Sequence, residues 1–151
     1  MEILNRAQIQ IPPQVTFVDI NFKIDRLEEV LHQAGFDDAA KTLFIWEGVT
    51  YYLPHYDIHN TLRIIKKYSP IGSMICFDHM TEKLDSVNAG EPFLFWIKKE
   101  EVQSFLQGHG FKMVEHIGAE EMEKRWLTLS DGSVAEKSLP QFYFVRGMVT
   151  E

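Results

Sequence analysis

Three short hydrophobic runs, each closed by an acidic residue, constrain the fold of this chain most. They are VTFVD at 15–19, LFIWE at 43–47 and MICFD at 74–78. Their length and their β-branched and aromatic residues predict three strands. The second run has no alternation of polar and apolar residues, which is typical of a strand covered on both faces by helices.

Helical patterns separate these runs. Asp25 and Glu28 form a start that resembles a capping box, apolar residues then recur at helical spacing, and Gly35 ends the helix. Pro54 opens a second helix, between the second and third runs. Strands alternating with helices predict an α/β sheet that is mostly parallel in its first half.

The C-terminal half predicts a third helix and two further strands. Val102, Phe105 and Leu106 define the helix, which ends near Gly108. Residues 111–117 and 142–149 are β-type, and the charged stretch between them predicts a solvated helix and a turn. Since no linker divides the chain, we expect one domain over residues 1–151.

Composition excludes several function classes. The formal charge is −7, from 15 Lys and Arg against 22 Asp and Glu, so a nucleic acid or an anionic membrane surface is not an expected partner. No apolar run approaches the roughly 18 residues of a spanning helix. The single cysteine, Cys76, excludes an intramolecular disulfide. We expect a cytoplasmic, non-membrane protein.

The three acids mark a candidate site. Ligands of open parallel sheets bind beyond the carboxyl ends of the strands, where Asp19, Glu47 and Asp78 would lie. These carboxylates could accept hydrogen bonds from a ligand, hold Mg²⁺, or act as an acid and base. Asp78 is explained equally well as a helix cap. Glu47 is a poor cap, and Gly48 after it permits close approach of backbone to a ligand.

Two histidines have metal-ligand spacing but no evident third ligand. His55 and His59 lie four residues apart on the predicted second helix. The sequence supplies no matching group, so we predict no metal site. The glycine-rich phosphate-binding motifs GxGxxG and GxxxxGK[ST] are also absent, as is the GxSxG motif of hydrolases.

A family resemblance emerges from three segments: TLFIWEGVTYYLP at 42–54, VDINFKIDRLEEVLHQAGFD at 18–37 and GEPFLFWIKKEEVQSFLQGHGFKMVEHIG at 90–118. Together they resemble the C-terminal part of the leucine carboxyl methyltransferase-like family, whose members use S-adenosylmethionine. In that family an N-terminal region carrying a glycine-rich turn precedes these segments, so we expect this chain to be the C-terminal portion of such a domain.

The resemblance assigns roles to four residues. Asp19 with Ile20 matches the pair of an acid and an apolar residue beside the adenine, and Glu47 matches the acid that lines the cofactor pocket. Tyr52 matches the tyrosine that borders the substrate side. No catalytic residue is assigned, because methyl transfer to a carboxylate needs mainly positioning and desolvation.

The resemblance also implies a partial class I methyltransferase (Rossmann-like) sheet, mostly parallel with an antiparallel C-terminal strand. The full order is 3-2-1-4-5-7-6, and the first two strands are lacking here. The third and fourth strands, at 15–19 and 43–46, would then have open edges. We therefore expect Val15–Asp19 to pair differently, or a homodimer through the exposed sheet edge, or a fragment whose missing half lies elsewhere.

Three functions follow from these patterns. The first is O-methyl transfer from S-adenosylmethionine to a small-molecule or protein-carboxylate acceptor, the accepting oxygen being that of a carboxylate or a hydroxyl. The second is a non-catalytic interaction module, or truncated remnant, without cofactor binding. The third is a Mg²⁺-dependent phosphate-handling domain built on Asp19, Glu47 and Asp78, which lacks an obvious Lys, Ser or Thr partner.

Overall fold

The chain separates into two compact units. The computed structural model describes residues 2–21, 24–83 and 92–151, and the first two residues of the GEPF segment lie outside them. The N-terminal unit is Met1–Asp37 and the sheet unit is Asp38–Glu151. That all 151 residues form one domain stays a prediction.

In its described residues, the N-terminal unit contains two short helices and lacks the predicted strand. Helix α1 is Glu2–Arg6 and helix α2 is Leu27–Gln33. Residues 15–19 have no regular structure, and Phe17 is 55% exposed. The strand prediction for this run is therefore wrong. In the described residues no strand pairs with it, and β-type residues alone do not hold a strand without a partner and a face to bury.

Helix α2 begins one residue later than its capping pattern predicts. Its N-cap is Arg26, while the Asp25 carboxylate accepts a hydrogen bond from the Asn21 backbone N–H at 2.7 Å. The predicted end is confirmed: Ala34 is the C-cap and Gly35 follows with φ of +89°. This left-handed conformation favours glycine and stops the helix.

The sheet unit holds a four-stranded sheet of order β1-β2-β4-β3. The strands are β1 Leu43–Trp46, β2 Met74–Met80, β3 Phe111–Ile117 and β4 Phe142–Val149. β1 and β2 are parallel, and β4 lies antiparallel between β2 and β3, so three strands run in one direction. This arrangement corresponds to strands 4-5-7-6 of the order given above and confirms the expected fold class.

Helices of the sheet unit follow the predicted order. Helix α3 is His55–Lys67 after Pro54, α4 is Val102–Gly108, and α5 is Ala119–Met122, which continues as a π-helical turn. None of the described helices is both long enough and apolar enough to cross a membrane.

One hydrophobic core joins α3 and α4 to the sheet. Burial of each large apolar side chain contributes about 1.5–3 kcal/mol relative to exposure. The core residues are Ile58, Leu62, Ile65, Ile75, Phe77, Phe95, Ile97, Val102, Leu106, Phe111, Val145 and Val149.

Strand β1 is an edge strand with one apolar face exposed. Phe44 and Trp46 pack against the core, whereas Leu43 is exposed and Ile45 is 69% exposed. The expectation that this run is covered on both faces is therefore wrong for one face. An apolar edge strand is a template for pairing with another chain.

Candidate functional site

The turn after β1 is fastened to the neighbouring strand. Glu47 and Gly48 follow β1 directly, and the Gly48 N–H donates a hydrogen bond to Asp78 Oδ2 at 2.8 Å. Gly48 has φ of +73°, a conformation that strains other residues. This contact holds the exposed Glu47 at the carboxyl end of the parallel pair, which is the edge where the sequence places a site.

Asp78 lies inside a strand rather than at its end, which corrects the sequence prediction. β2 continues to Met80, and Asp78 is 1% exposed. Burial, and to a smaller extent the Glu47 charge, raises the pKa of Asp78, while the hydrogen bond from Gly48 opposes the shift. The hydroxyl of Thr50 donates to the Asp78 backbone carbonyl, and the described residues offer Asp78 Oδ1 no hydrogen-bond partner.

Aromatic rings gather beside this turn. The ring centroid of Tyr51 lies 4.6 Å from that of Tyr52 and 5.2 Å from that of Phe93. The Leu94 N–H donates to the Tyr51 carbonyl at 2.7 Å, which brings the two segments together. Burial raises the pKa of Tyr51, and the charges of Asp78 and Glu47 raise it further. The acids and the rings therefore share one electrostatic environment.

These rings form part of a cavity of about 530 Å³, hereafter the aromatic cleft. Its walls come from five parts of the chain: the turn after β1, strand β2, the segment at Phe93, the α5 region, and β4 with the loop before it. Its volume falls within the range of small-molecule sites. The lining residues are Tyr51, Tyr52, Met80, Phe93, Met122, Trp126, Leu127, Ser138, Leu139, Phe142 and Phe144.

The four residues with assigned roles lie in different units. Asp19, which is exposed, and Ile20, which is partly buried, belong to the N-terminal unit. Glu47 and Tyr52 belong to the sheet unit, where Tyr52 lines the aromatic cleft. The cofactor and substrate roles of all four stay predictions.

A buried histidine pair was not recognised from the sequence. His79, fully buried in β2, has Nδ1 at 3.0 Å from the Met80 carbonyl oxygen and Nε2 at 3.0 Å from His116 Nε2. Since a carbonyl only accepts, His79 Nδ1 carries the proton and Nε2 accepts from His116. Burial lowers the pKa of His79 to about 4. These two residues are 37 positions apart in the sequence. They come together because both of their strands, β2 and β3, pair with β4.

The predicted histidine spacing on α3 leads to a hydrogen-bonded pair. His59 and His55 are on the helix as predicted, and His59 Nδ1 lies 2.7 Å from His109 Nε2. Burial, and then His109 and His55, lower the pKa of His59. Over the described ranges, no group of three or more His, Cys, Asp or Glu side chains is placed to hold a metal ion.

Comparison with known families agrees with the resemblance seen in the sequence. The sequence model of the leucine carboxyl methyltransferase family matches residues 1–66. That match extends through the EG segment at Glu47 into the last turn of α3, but covers less than half of the chain. No curated protein matches the chain.

Solved structures show similarity to methyltransferase folds. CalO1, a methyltransferase of calicheamicin biosynthesis in its SAH-bound form, aligns over 99% of this chain and 39% of its own, with 10% identity and a TM-score of 0.51. LaPhzM aligns over 98% of this chain and 38% of its own, with 11% identity and a TM-score of 0.53. The 1,6-didemethyltoxoflavin-N1-methyltransferase of Burkholderia thailandensis, with bound 1,6-didemethyltoxoflavin and S-adenosylhomocysteine, aligns over 72% of this chain and 44% of its own, with 9% identity and a TM-score of 0.48.

The matches to CalO1 and LaPhzM show that the chain has this fold. At such low identity they carry no residue assignments. The chain spans less than half the length of each of these three structures.

Proposed function

We propose that this chain is part of an S-adenosylmethionine-dependent O-methyltransferase. The observation that carries the proposal is the Glu47–Gly48 turn, held by buried Asp78 at the carboxyl end of a parallel strand pair and adjoining the aromatic cleft. The family match over residues 1–66 and the SAH-bound CalO1 structure, which shares the fold, support it.

The residues at this turn suit a sulfonium nucleoside. Glu47 is exposed and can accept hydrogen bonds from ribose hydroxyls. Gly48 has open space where a Cβ would lie, so a ligand can approach its backbone. The negative charge of Glu47 favours a sulfonium by Coulomb attraction. Asp19 and Ile20 are proposed to lie beside the adenine.

Positioning and exclusion of water are the expected contributions of this chain to the reaction. When bound, S-adenosylmethionine would supply a methyl group to an acceptor oxygen, with the carbon–sulfur bond breaking and its electron pair going to sulfur. An acceptor hydroxyl would release its proton to water. The aromatic cleft would hold the acceptor away from water, with Tyr52 at its wall. Asp78 acts as a positioning residue, because it holds Gly48.

Titration calorimetry of the whole chain with S-adenosylhomocysteine tests the proposal. We expect binding in the micromolar range and a loss of about tenfold or more, roughly 1.4 kcal/mol, for Glu47→Ala. Glu100→Ala, which removes an exposed acid outside the described site, is the matched control. Absence of binding at millimolar ligand to the folded chain would instead support the non-catalytic module. The Mg²⁺ alternative finds no metal-binding group among the described residues.

A further inference from the structure

The aromatic cleft has a composition that selects its occupant. Six of its lining side chains are aromatic: Tyr51, Tyr52, Phe93, Trp126, Phe142 and Phe144. Several rings meet edge to face, with centroids 5.2 Å apart for Tyr51 and Phe93 and 5.3 Å apart for Phe142 and Phe144. Rings in such arrangements offer both faces and edges to a further ring, a contact that contributes about 0.5–1.5 kcal/mol beyond area burial.

Among the residues that the structure describes, no basic side chain lines the aromatic cleft, and two bases of the α5 side, Arg125 and Lys137, have acidic partners. The Arg125 guanidinium lies 5.8 Å from the Trp126 ring. It forms hydrogen bonds to Glu121 at 2.6 Å and Glu115 at 2.7 Å. Lys137 is likewise paired with Glu123 at 3.0 Å. A carboxylate entering the aromatic cleft would therefore lose hydration without gaining a cationic partner from the described lining residues.

The acids beside the cleft add to this discrimination. Asp78 accepts a hydrogen bond at 2.8 Å from the Gly48 N–H, Glu47 precedes Gly48, and Tyr51 of the cleft follows three residues later. In keeping with this arrangement, both carboxylates raise the pKa of Tyr51. Their negative charge repels an anionic group, whereas a neutral hydroxyl can donate a hydrogen bond to a carboxylate. The two acceptor oxygens left open by the sequence, carboxylate and hydroxyl, are thus distinguished by the charge of the cleft and its surroundings.

We propose that the aromatic cleft binds a flat, neutral aromatic compound carrying a hydroxyl group, and that it excludes carboxylates. This inference rests on the proposed function, for which it names the acceptor class. Binding of an aromatic compound can be measured without the cofactor, however, so the two proposals can fail separately.

Three probes of similar size test the proposal by titration of the whole chain at neutral pH. They are 2-naphthol, 2-naphthoate, which carries a carboxylate on the same ring system, and decahydro-2-naphthol, which is not aromatic. We expect 2-naphthol to bind with a dissociation constant below about 1 mM, and 2-naphthoate to bind at least about tenfold more weakly. Decahydro-2-naphthol should bind about fivefold more weakly than 2-naphthol, because it lacks the aromatic ring contacts.

Trp126→Ala locates the binding. Because the Trp126 side chain is 62% exposed, its removal should leave the fold intact while weakening 2-naphthol about fivefold. Tyr56→Ala, which removes an exposed ring on α3 outside the cleft, should change nothing.

Equal or tighter binding of 2-naphthoate would overturn the proposal, as would unchanged 2-naphthol affinity in folded Trp126→Ala. Failure of the folded chain to bind any probe at about 5 mM, roughly five times the upper limit expected for the dissociation constant of 2-naphthol, would overturn it too. Binding of 2-naphthol without binding of S-adenosylhomocysteine would leave the cleft assignment standing and refute the methyltransferase proposal.

Discussion

Two runs of similar sequence, VTFVD at 15–19 and MICFD at 74–78, adopt different structures. The second lies in the central strand β2, which pairs with β1 on one side and β4 on the other. The first has no regular structure, and its Val15, Phe17 and Val18 are all largely exposed. Both end in aspartate, but Asp78 is buried whereas Asp19 is exposed.

This difference shows that partners, rather than residue types, decide whether a short hydrophobic run becomes a strand. β-propensity measures how well a side chain packs on a pleated, partly buried surface. Residues 74–78 find two neighbouring strands and a core, while residues 15–19 pair with no described strand. β1 is intermediate, since it pairs on one side and leaves Leu43 and Ile45 exposed.

Truncation of the phenylalanine in each run should give the largest difference in the free energy of unfolding between the two runs. Phe77 is 2% exposed within the core, so Phe77→Ala should lower the free energy of unfolding by about 3–5 kcal/mol. Phe17→Ala should change it by about 0.5 kcal/mol or less, because a mostly exposed ring loses little burial. Urea denaturation measures both. A comparable loss for Phe17→Ala would mean that residues 15–19 are packed after all.

The residue after Asp78 gives the next prediction, in which the free energy of unfolding depends on pH. His79 is buried with a pKa of about 4, below the ordinary value of 6.5, so the unfolded chain binds its proton more readily. The stabilisation from neutral His79 is complete above about pH 6.5 and is lost as the pH falls towards 4. Between pH 7.5 and pH 5 this loss should be about 2 kcal/mol.

His79→Gln should reduce this pH dependence, measured as the difference in unfolding free energy between the two pH values. The pKa of His116 is also lowered by burial, so His116 contributes with the same sign. Asp78 contributes with the opposite sign because burial raises its pKa. Gln107→Ala, which removes an exposed and uncharged side chain on α4, is the control and should keep the wild-type dependence. An unchanged pH dependence in His79→Gln would refute the attribution of this dependence to buried His79.

Most elements of the sheet unit were predictable because local pattern and tertiary pairing agree there. The bounds of β1, β3 and β4 match the predicted runs, and α3 begins after Pro54 as expected. The extension of β2 through Asp78 and His79 was not predictable, since burial of an acid and a histidine depends on Gly48 and His116, contributed by distant segments. The aromatic cleft was also missed, because its walls come from five separate parts of the chain.

Substitution of the two aspartates should change the free energy of unfolding by amounts that differ less than in the two preceding cases. Asp78→Ala leaves the Gly48 N–H without its partner, but it also removes a carboxylate whose charge is unfavourable when buried. These opposing effects should leave a net loss of about 1 kcal/mol in unfolding free energy. Asp78→Asn retains an oxygen that can accept from Gly48 and should recover most of this loss. Asp19→Ala, at an exposed position, should have no measurable effect, and an equal loss there would contradict the comparison.

The smallest effect on stability is expected at the edge strand, where self-association is the readout instead. Ile45 is 69% exposed on β1, which pairs only with β2 among the described strands. If this edge forms a homodimer, Ile45→Lys should shift the chain to monomer while changing unfolding free energy by about 0.5 kcal/mol or less. Size exclusion with light scattering measures the mass, and Ile71→Lys, an exposed isoleucine outside the strand, is the control. A wild-type chain that is monomeric and well folded would exclude association through β1, and the intermediate position of this strand would then reflect pairing on one side alone.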